Sequence, residues 1–249
     1  MYQCQSASTK AFTYLFVSSL ISISAFLIHN RFMKSKVANS DLELELRKEP
    51  KQARARQTYE KILMATAGLL DDVGLDGFNT NLVAERAGVN ISAVYKYFPN
   101  KYAILATLAV RLNDKQTEIV LDYVAILTET ISWQDMMSGL IDAMIKETRN
   151  EKGLIALQSA MLATPGLKEI YRKSNEDVAK VIMKALEKCG ISFPVSKREL
   201  IGSCIGEIVP AMLDLSVSRG KRYDPKVIDE LKRMQIGYIS TYLDDNDKV

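Results

Sequence analysis

Histidine is nearly absent from this chain. One of its 249 residues is a histidine, His29, and it lies outside every helical pattern described below. A Ser-His-Asp triad, a Cys-His pair or a histidine metal cluster would each depend on that one residue. Cysteine is also scarce. Cys4, Cys189 and Cys204 are odd in number and lack metal-site spacing, which argues against a disulfide framework or a zinc site and favours a reducing compartment. No GxGxxG or GxxxxGK[ST] run occurs, so the common phosphate-cradling loops are missing. The chain is therefore expected to be no enzyme, with no cofactor and no metal. Charge of one sign is not in excess either: the net charge is +3, so any nucleic-acid surface must arise by local clustering. Apolar residues are plentiful, at 47%. That is enough to bury a core in one large domain or two modest ones.

Residues 11–28, AFTYLFVSSLISISAFLI, carry no charge over eighteen positions, the lower limit for crossing a bilayer. Five are Ser or Thr, so the stretch is only moderately apolar. Lys10 precedes it, and Arg31, Lys34 and Lys36 follow it. Were it to span, the positive-inside rule would leave the rest of the chain in the cytoplasm. A cleaved signal peptide fits poorly, because the n-region is long and no A-x-A site follows. A single-pass anchor, and a leader upstream of a true start at Met33, both stay open. Residues 34–51 form a mixed-charge linker or arm, completing a leader over 1–50.

From Arg54 the pattern turns helical. Tyr59, Ile62, Leu63, Leu69, Leu70 and Val73 form one stripe, ended by Gly74 and Gly77. Phe78 anchors the next turn. Thr80 is placed to cap a short helix over 81–87 whose inner face is Val83 and Ala87. Gly88 closes it, and Asn90 caps a third helix. Helix, short glycine-containing turn, helix is helix-turn-helix spacing. On a helical wheel Val94 and Phe98 face inward with Ile91 on their flank, Ser92, Ala93 and Lys96 face out, and Tyr95 and Tyr97 sit on the shoulders. Pro99 stops the helix, Asn100 caps the next, and Lys101 sits in its first turn, a ready phosphate site. Between Arg86 and Arg111 four residues are basic and none acidic; residues 47–61 hold six basic against two acidic ones. This is the footprint of a nucleic-acid surface.

Residues 54–105 closely resemble the N-terminal domain of the tetracycline-repressor (TetR) family. The run FNTNLVAERAGVN at 78–90, with its A-x-x-A-G-V, and VYKYFPNK at 94–101, with its Y-x-Y-F-x-x-K, carry the resemblance. It implies a homodimeric transcription factor, usually a repressor released by a small molecule. By position, Thr80 and Asn81 would meet phosphate at the start of the second helix. Asn90, Ile91, Ser92 and Ala93 would open the recognition helix. Tyr95 and Tyr97 would give hydroxyls to the DNA backbone, Lys96 would lie at the groove, and Lys101 would pin a phosphate. Ile91 stands where the family often has a polar or basic residue; it either reads a thymine methyl or packs inward.

Downstream of Lys101 the chain reads as further helices. One runs from about 101 into the 120s, one starts at Ser132 with Asp135, and one runs from Pro165 to Cys189. Another runs from a Ser196–Glu199 capping box to Arg219, bent by Pro210, and the last from Asp224-Pro225 to near Leu243. The last two carry long apolar stripes, which the resemblance assigns to a four-helix bundle between dimer mates. A dimer sets two recognition helices about 34–36 Å apart, one DNA turn. Trp133, Met136, Met137, Met144, Met161 and Tyr171 crowd the middle of this region, either as ordinary core or as the wall of an adaptable pocket. Glu207 and Asp214 lie on an otherwise apolar helix, facing solvent, a dimer rim or a cationic effector. The effector-site candidates are Trp133, Met136, Met137, Met161, Tyr171 and Asp214.

The expected architecture is all-α: a three-helix helix-turn-helix DNA-binding domain over 51–101 and a larger helical effector-binding and dimerisation domain over 102–249. The expected function is a ligand-responsive, homodimeric, cytoplasmic regulator of transcription, most readily a repressor. Its partners are double-stranded operator DNA, a second copy of itself and an unidentified small-molecule effector. The alternative is the same regulator tethered to a membrane through 11–28; a helical enzyme is disfavoured.

Overall fold

The computed structural model describes residues 43–126, 131–150, 153–218 and 223–243. The apolar segment 11–28 lies outside them. Among the described residues, no helix is long and apolar enough to cross a membrane. These residues form α1 (Ala53–Gly77), α2 (Thr80–Ala87), α3 (Ile91–Tyr97), α4 (Lys101–Ile126), α5 (Trp133–Asn150), α6 (Leu154–Ala163), α7 (Pro165–Lys188), a 3-10 turn (Val195–Lys197), α8 (Arg198–Ser218) and α9 (Pro225–Ser240). An isolated antiparallel bridge joins Ile191 to Leu243.

Helix α1 buries the expected stripe, Tyr59, Ile62, Leu63, Leu69 and Leu70, together with Ala65 and Thr66. Val73 departs from it and is 46% exposed. Directly after it, Gly74 leaves helical geometry at φ 65°, ψ −170°, which ends the stripe. The cap of α2 also differs from expectation. Asn79, not Thr80, accepts from the backbone N–H of Asn81 and Leu82, which starts α2 one residue early and leaves the Thr80 hydroxyl for another partner. Gly88 adopts φ 63°, ψ 39°, the left-handed turn that glycine takes without a Cβ clash. Asn90 caps α3 by accepting from Ser92 N–H.

The head closes on three rings. Tyr59 stacks on Phe98 at 5.3 Å and meets Tyr97 edge-on at 5.7 Å. Phe78, Val83 and Val94 are fully enclosed around them. The same core continues through Ala103, Ile104, Leu105, Ala106 and Ala109 of α4 into Leu157, Met161, Leu167, Ile170 and Tyr171 of α6 and α7. Head and near body thus share one apolar interior, with α4 passing through both. Asn100 caps α4 by accepting from Ala103 N–H, as its position suggested.

In the body, α7 packs against α4, α6 and α8, and α9 packs against α5 and α8. Ser132 caps α5 by accepting from Asp135 N–H, and Asp224 caps α9 by accepting from Lys226 N–H. The Ser196 capping box does not form: residues 195–197 take a 3-10 turn, Ser196 is exposed, and α8 starts at Arg198. Helix α8 runs on through Pro210. Gly202 and Gly206 let α8 approach α7 closely, since a Cβ at Gly206 would lie 3.2 Å from the Asn175 carbonyl oxygen. Helix α6 is a separate element that punctuation alone did not reveal, because its sequence LIALQSAMLA is apolar on nearly every face.

Phe98→Ala removes the ring on which Tyr59 stacks. A loss of about 3–5 kcal/mol in unfolding free energy is expected in a denaturant titration, as for other buried aromatic truncations.

Candidate nucleic-acid interface

Helix α3 shows solvent one face without a carboxylate. Asn90, Ser92, Tyr95 and Lys96 are exposed, and Ala93 is half-buried. Ile91 is half-buried and packs against the head core. Tyr95 is 41% exposed, and its hydroxyl lies 3.0 Å from Thr80 Oγ1. The Lys101 ammonium donates to the Phe78 carbonyl at 3.4 Å, which holds it beside the start of α2. Thr80, exposed Asn81, Tyr95 and Lys101 are thereby gathered at one helix N-terminus, where backbone N–H groups and the helix dipole favour an anion.

Tyr97 corrects the sequence reading. Its ring is 2% exposed, and its hydroxyl donates to the Ala55 carbonyl at 3.5 Å. It sits in the aromatic core of the head, with Lys96 Nζ 5.5 Å from its ring centre, rather than on a shoulder of the recognition helix. There it packs edge-on against Tyr59 and Phe98, and the extended backbone of Phe98 (φ −120°, ψ 123°) ends α3 directly after it.

The charge pattern is also redrawn by folding. Arg86 pairs with Asp72 at 2.5 Å, and Arg111 grips Glu60 with two N–H···O bonds of 2.6 Å. Two of the four basic residues between 86 and 111 are thus paired with acids outside that stretch, Asp72 and Glu60. Lys96 and Lys101 remain at the α3 face. The arm contributes more than expected. Leu44 and Leu46 pack on the head core, Arg47 N–H donates to the Tyr97 carbonyl at 2.9 Å, and the Arg47 guanidinium donates to the Tyr95 carbonyl at 3.3 Å. Asn100 donates to the Glu43 carbonyl at 2.8 Å. The segment 43–47 is docked along the end of α3 and places Arg47 there, with the exposed carboxylates Glu43 and Glu45 on the same segment. The alternation of Leu42, Leu44 and Leu46 within a polar run was the signal for it.

The effector-site candidates divide among three places. Trp133, Met136 and Met137 are buried with Leu140, Ile182 and Met183 in one cluster. Met161 and Tyr171 belong to the core continuous with the head. Asp214 is exposed on α8. These six do not line one wall. Burial pushes the Tyr171 phenol up to about 12, so it stays protonated and able to donate at neutral pH. Beside it Asn175 donates to Glu207 at 3.1 Å, tying α7 to α8. A residue that the sequence did not single out is Asn113 of α4: it is 7% exposed, and its amide nitrogen is buried without a hydrogen-bond partner. Such an orphan donor costs about 1–3 kcal/mol unless something accepts from it.

A three-helix head with an exposed, acid-free second helix of the turn, joined by a long helix to a larger helical body, defines the class of helix-turn-helix DNA-binding regulators. Residues 62–108 match the family described as bacterial regulatory proteins, tetR family, and residues 132–239 match the tetracyclin repressor-like C-terminal domain. The chain belongs to the TetR family. Its head is 44% identical over 50 residues to the tetracycline repressor protein class C of Escherichia coli, covering 20% of this chain and 23% of that protein. The matched stretch therefore spans under a quarter of that relative. The fold is similar to a TetR-family transcriptional regulator from Streptomyces coelicolor, with TM-score 0.60, 24% identity, and coverage of 75% of this chain and 99% of that one. It is also similar to the protein in a SmeT–triclosan complex, with TM-score 0.56, 19% identity, and coverage of 77% and 94%.

The Glu60–Arg111 pair joins α1 to α4 and carries a pH signature. Hydrogen bonds from Arg111 hold the Glu60 carboxyl below its ordinary value of 4.5, while the pairing raises Arg111. A carboxyl depressed in the folded state stabilises fully above its unfolded value and loses that contribution as pH falls through the folded one. Both side chains are nearly half exposed, so the effect is modest and weakened by salt. Wild type and Glu60→Gln are expected to differ in denaturation midpoint at neutral pH and to converge in acid below 4.5; a constant offset across that range would contradict the pairing.

Proposed function

We propose that this chain is a ligand-responsive transcriptional regulator that binds double-stranded operator DNA as a homodimer, represses from it and leaves it when a small molecule binds the body. It acts in the cytoplasm and without catalysis. The head over 51–101 reads the DNA, and the body over 102–249 senses and dimerises. The observation that carries this reading is the α3 face: exposed Asn90, Ser92, Tyr95 and Lys96 with no acid, flanked by a phosphate seat of Thr80, Asn81, Tyr95 and Lys101. Small residues in the first turn let the backbone approach base edges, and the seat holds the register.

Dimerisation is supported by the outer faces of α8 and α9. Leu200 is 65% exposed, Leu215 45% and Met234 47%. Ala211 and Cys204 lie exposed on the same helix as the two leucines. Apolar residues at helical spacing, bare in one chain, suit a partner helix pair. The effector reading is supported by the orphaned Asn113 amide, whose natural complement is an acceptor on a ligand. The triclosan complex of a protein with this fold is consistent with a sensing body. Release follows if the ligand prefers a head spacing that no longer fits adjacent major grooves, since a ligand shifts an equilibrium only by its differential affinity.

Selection of bound fragments from the source genome supplies the operator. In gel shifts on it across a salt series, Lys101→Ala is expected to lower the salt slope by about one unit, the signature of one lost phosphate contact. Tyr95→Phe is expected to weaken binding, whereas Tyr97→Phe leaves it unchanged. Unaltered affinity and slope for Lys101→Ala and Tyr95→Phe would refute the seat. For the dimer, Leu200→Glu with Met234→Glu is expected to shift the sedimenting species from two chains to one; a dimer persisting in the double variant places the interface elsewhere.

A further inference from the structure

A cavity of about 290 Å³ lies where α1, α4 and α6 meet, between head and body. An apolar cavity of about 150 Å³ is enough to hold a benzene molecule, so this one has room for a larger guest. Leu63 and Leu70 of α1, Leu108 and Leu112 of α4, and Leu154 and Leu157 of α6 give it a hydrocarbon wall. Leu108 and Leu112 are only half-buried. Met64, which also lines it, is 74% exposed. Covering such apolar surface is favourable. Neither α3 nor Asn113 contributes to the lining.

The charged groups of the lining are already engaged. Glu60 accepts from both terminal nitrogens of Arg111 at 2.6 Å, and Lys115 has an interaction partner of its own. A charged guest would have to displace one of these contacts and give up its own water shell. An uncharged guest displaces none of them, and the leucines favour a chain that asks for no hydrogen bonds. The volume also excludes a partner helix, which is roughly 10–12 Å across with its side chains. We propose that this cavity is a ligand site for a small uncharged molecule made mostly of hydrocarbon, such as a medium-chain alcohol, lying along the leucines.

The position also assigns a consequence. Gly153 lines the cavity and, at φ 69° just before α6, is pressed onto α1: a Cβ there would lie 2.3 Å from the Ala67 carbonyl oxygen. Its N–H donates to Asp71 at 3.3 Å. Helix α6 therefore bears directly on the first helix of the head, and a guest beside this contact favours one α1–α6 spacing over others. An effect of that spacing on DNA binding rests on the regulator reading; uptake of the guest does not.

The test is a calorimetric titration of the full chain at neutral pH, without DNA, using 1-octanol as the probe, with octanoate and octylamine as its charged matches. Saturable uptake of one octanol per chain is expected, with octanoate and octylamine each at least tenfold weaker. Leu112→Asn, which sets an amide in the leucine wall, is expected to weaken octanol by about tenfold. Ala67→Leu, which adds bulk to the lining, is expected to abolish uptake, with circular dichroism confirming the helical fold of both variants. The guest is located in the unaltered chain by methionine-methyl NMR: octanol is expected to shift the Met64 methyl, assigned through Met64→Leu, and to leave Met136 and Met137 of the body cluster in place. The proposal is overturned by absent saturation, by octanoate or octylamine binding as tightly as octanol, by a folded Leu112→Asn or Ala67→Leu binding like wild type, or by shifts confined to Met136 and Met137. Since no DNA is present, failure here leaves the operator assay to stand or fall on its own.

Discussion

Burial of the first three turns of α4 is the constraint on which the molecule depends. Ala103, Ile104, Leu105, Ala106 and Ala109 are at most 4% exposed, and they join the ring cluster of the head to the α6–α7 interior. Three of the five are alanines, so neighbouring helices can approach on several sides. One helix therefore starts beside the phosphate seat at Lys101 and continues, without a joint, into the body. A close-packed interior transmits displacement rather than absorbing it. In the proposed regulator, the stiffness of that segment would couple sensing in the body to reading by the head.

The candidate interface on α3 is made as much by what is withdrawn as by what is shown. Tyr97 and Phe98 turn into the core, Arg86 and Arg111 are paired with acids of α1, and Ile91 leans on the head. What faces out is a short row of small and polar groups with one lysine, edged by a docked arm that carries Arg47. A net charge of +3 is compatible with binding a polyanion when cations cluster locally, as Lys96 on α3 and Lys101 beside the start of α2 do.

The head was largely legible. Glycine and asparagine at 88 and 90, the inward spacing of Val94 and Phe98, and the Pro99 stop follow from local rules that tertiary contacts did not override. Misses came where two local candidates competed or where a partner was far away in sequence. Asn79 and Thr80 both cap well, and only the proximity of the Tyr95 hydroxyl to Thr80 separates them. Arg111 and Glu60 are 51 positions apart, so counting charge in a window could not pair them. Among the effector candidates, a methionine-rich stretch is equally good core and pocket wall; the structure sends its members to different clusters and leaves the orphaned polar atom on Asn113 instead.

The sequence by itself determined that the chain is helical, where most helices start and stop, and that a short acid-free helix follows a glycine turn. Those are properties of a few neighbouring residues: capping, periodicity and backbone freedom. Which way Tyr97 points, which cations stay exposed, how the arm lies against α3 and where a cavity opens between α1, α4 and α6 were decided only by the tertiary structure. Each depends on which distant surfaces compete for the same space and the same charge, and that competition has no local signature in the chain.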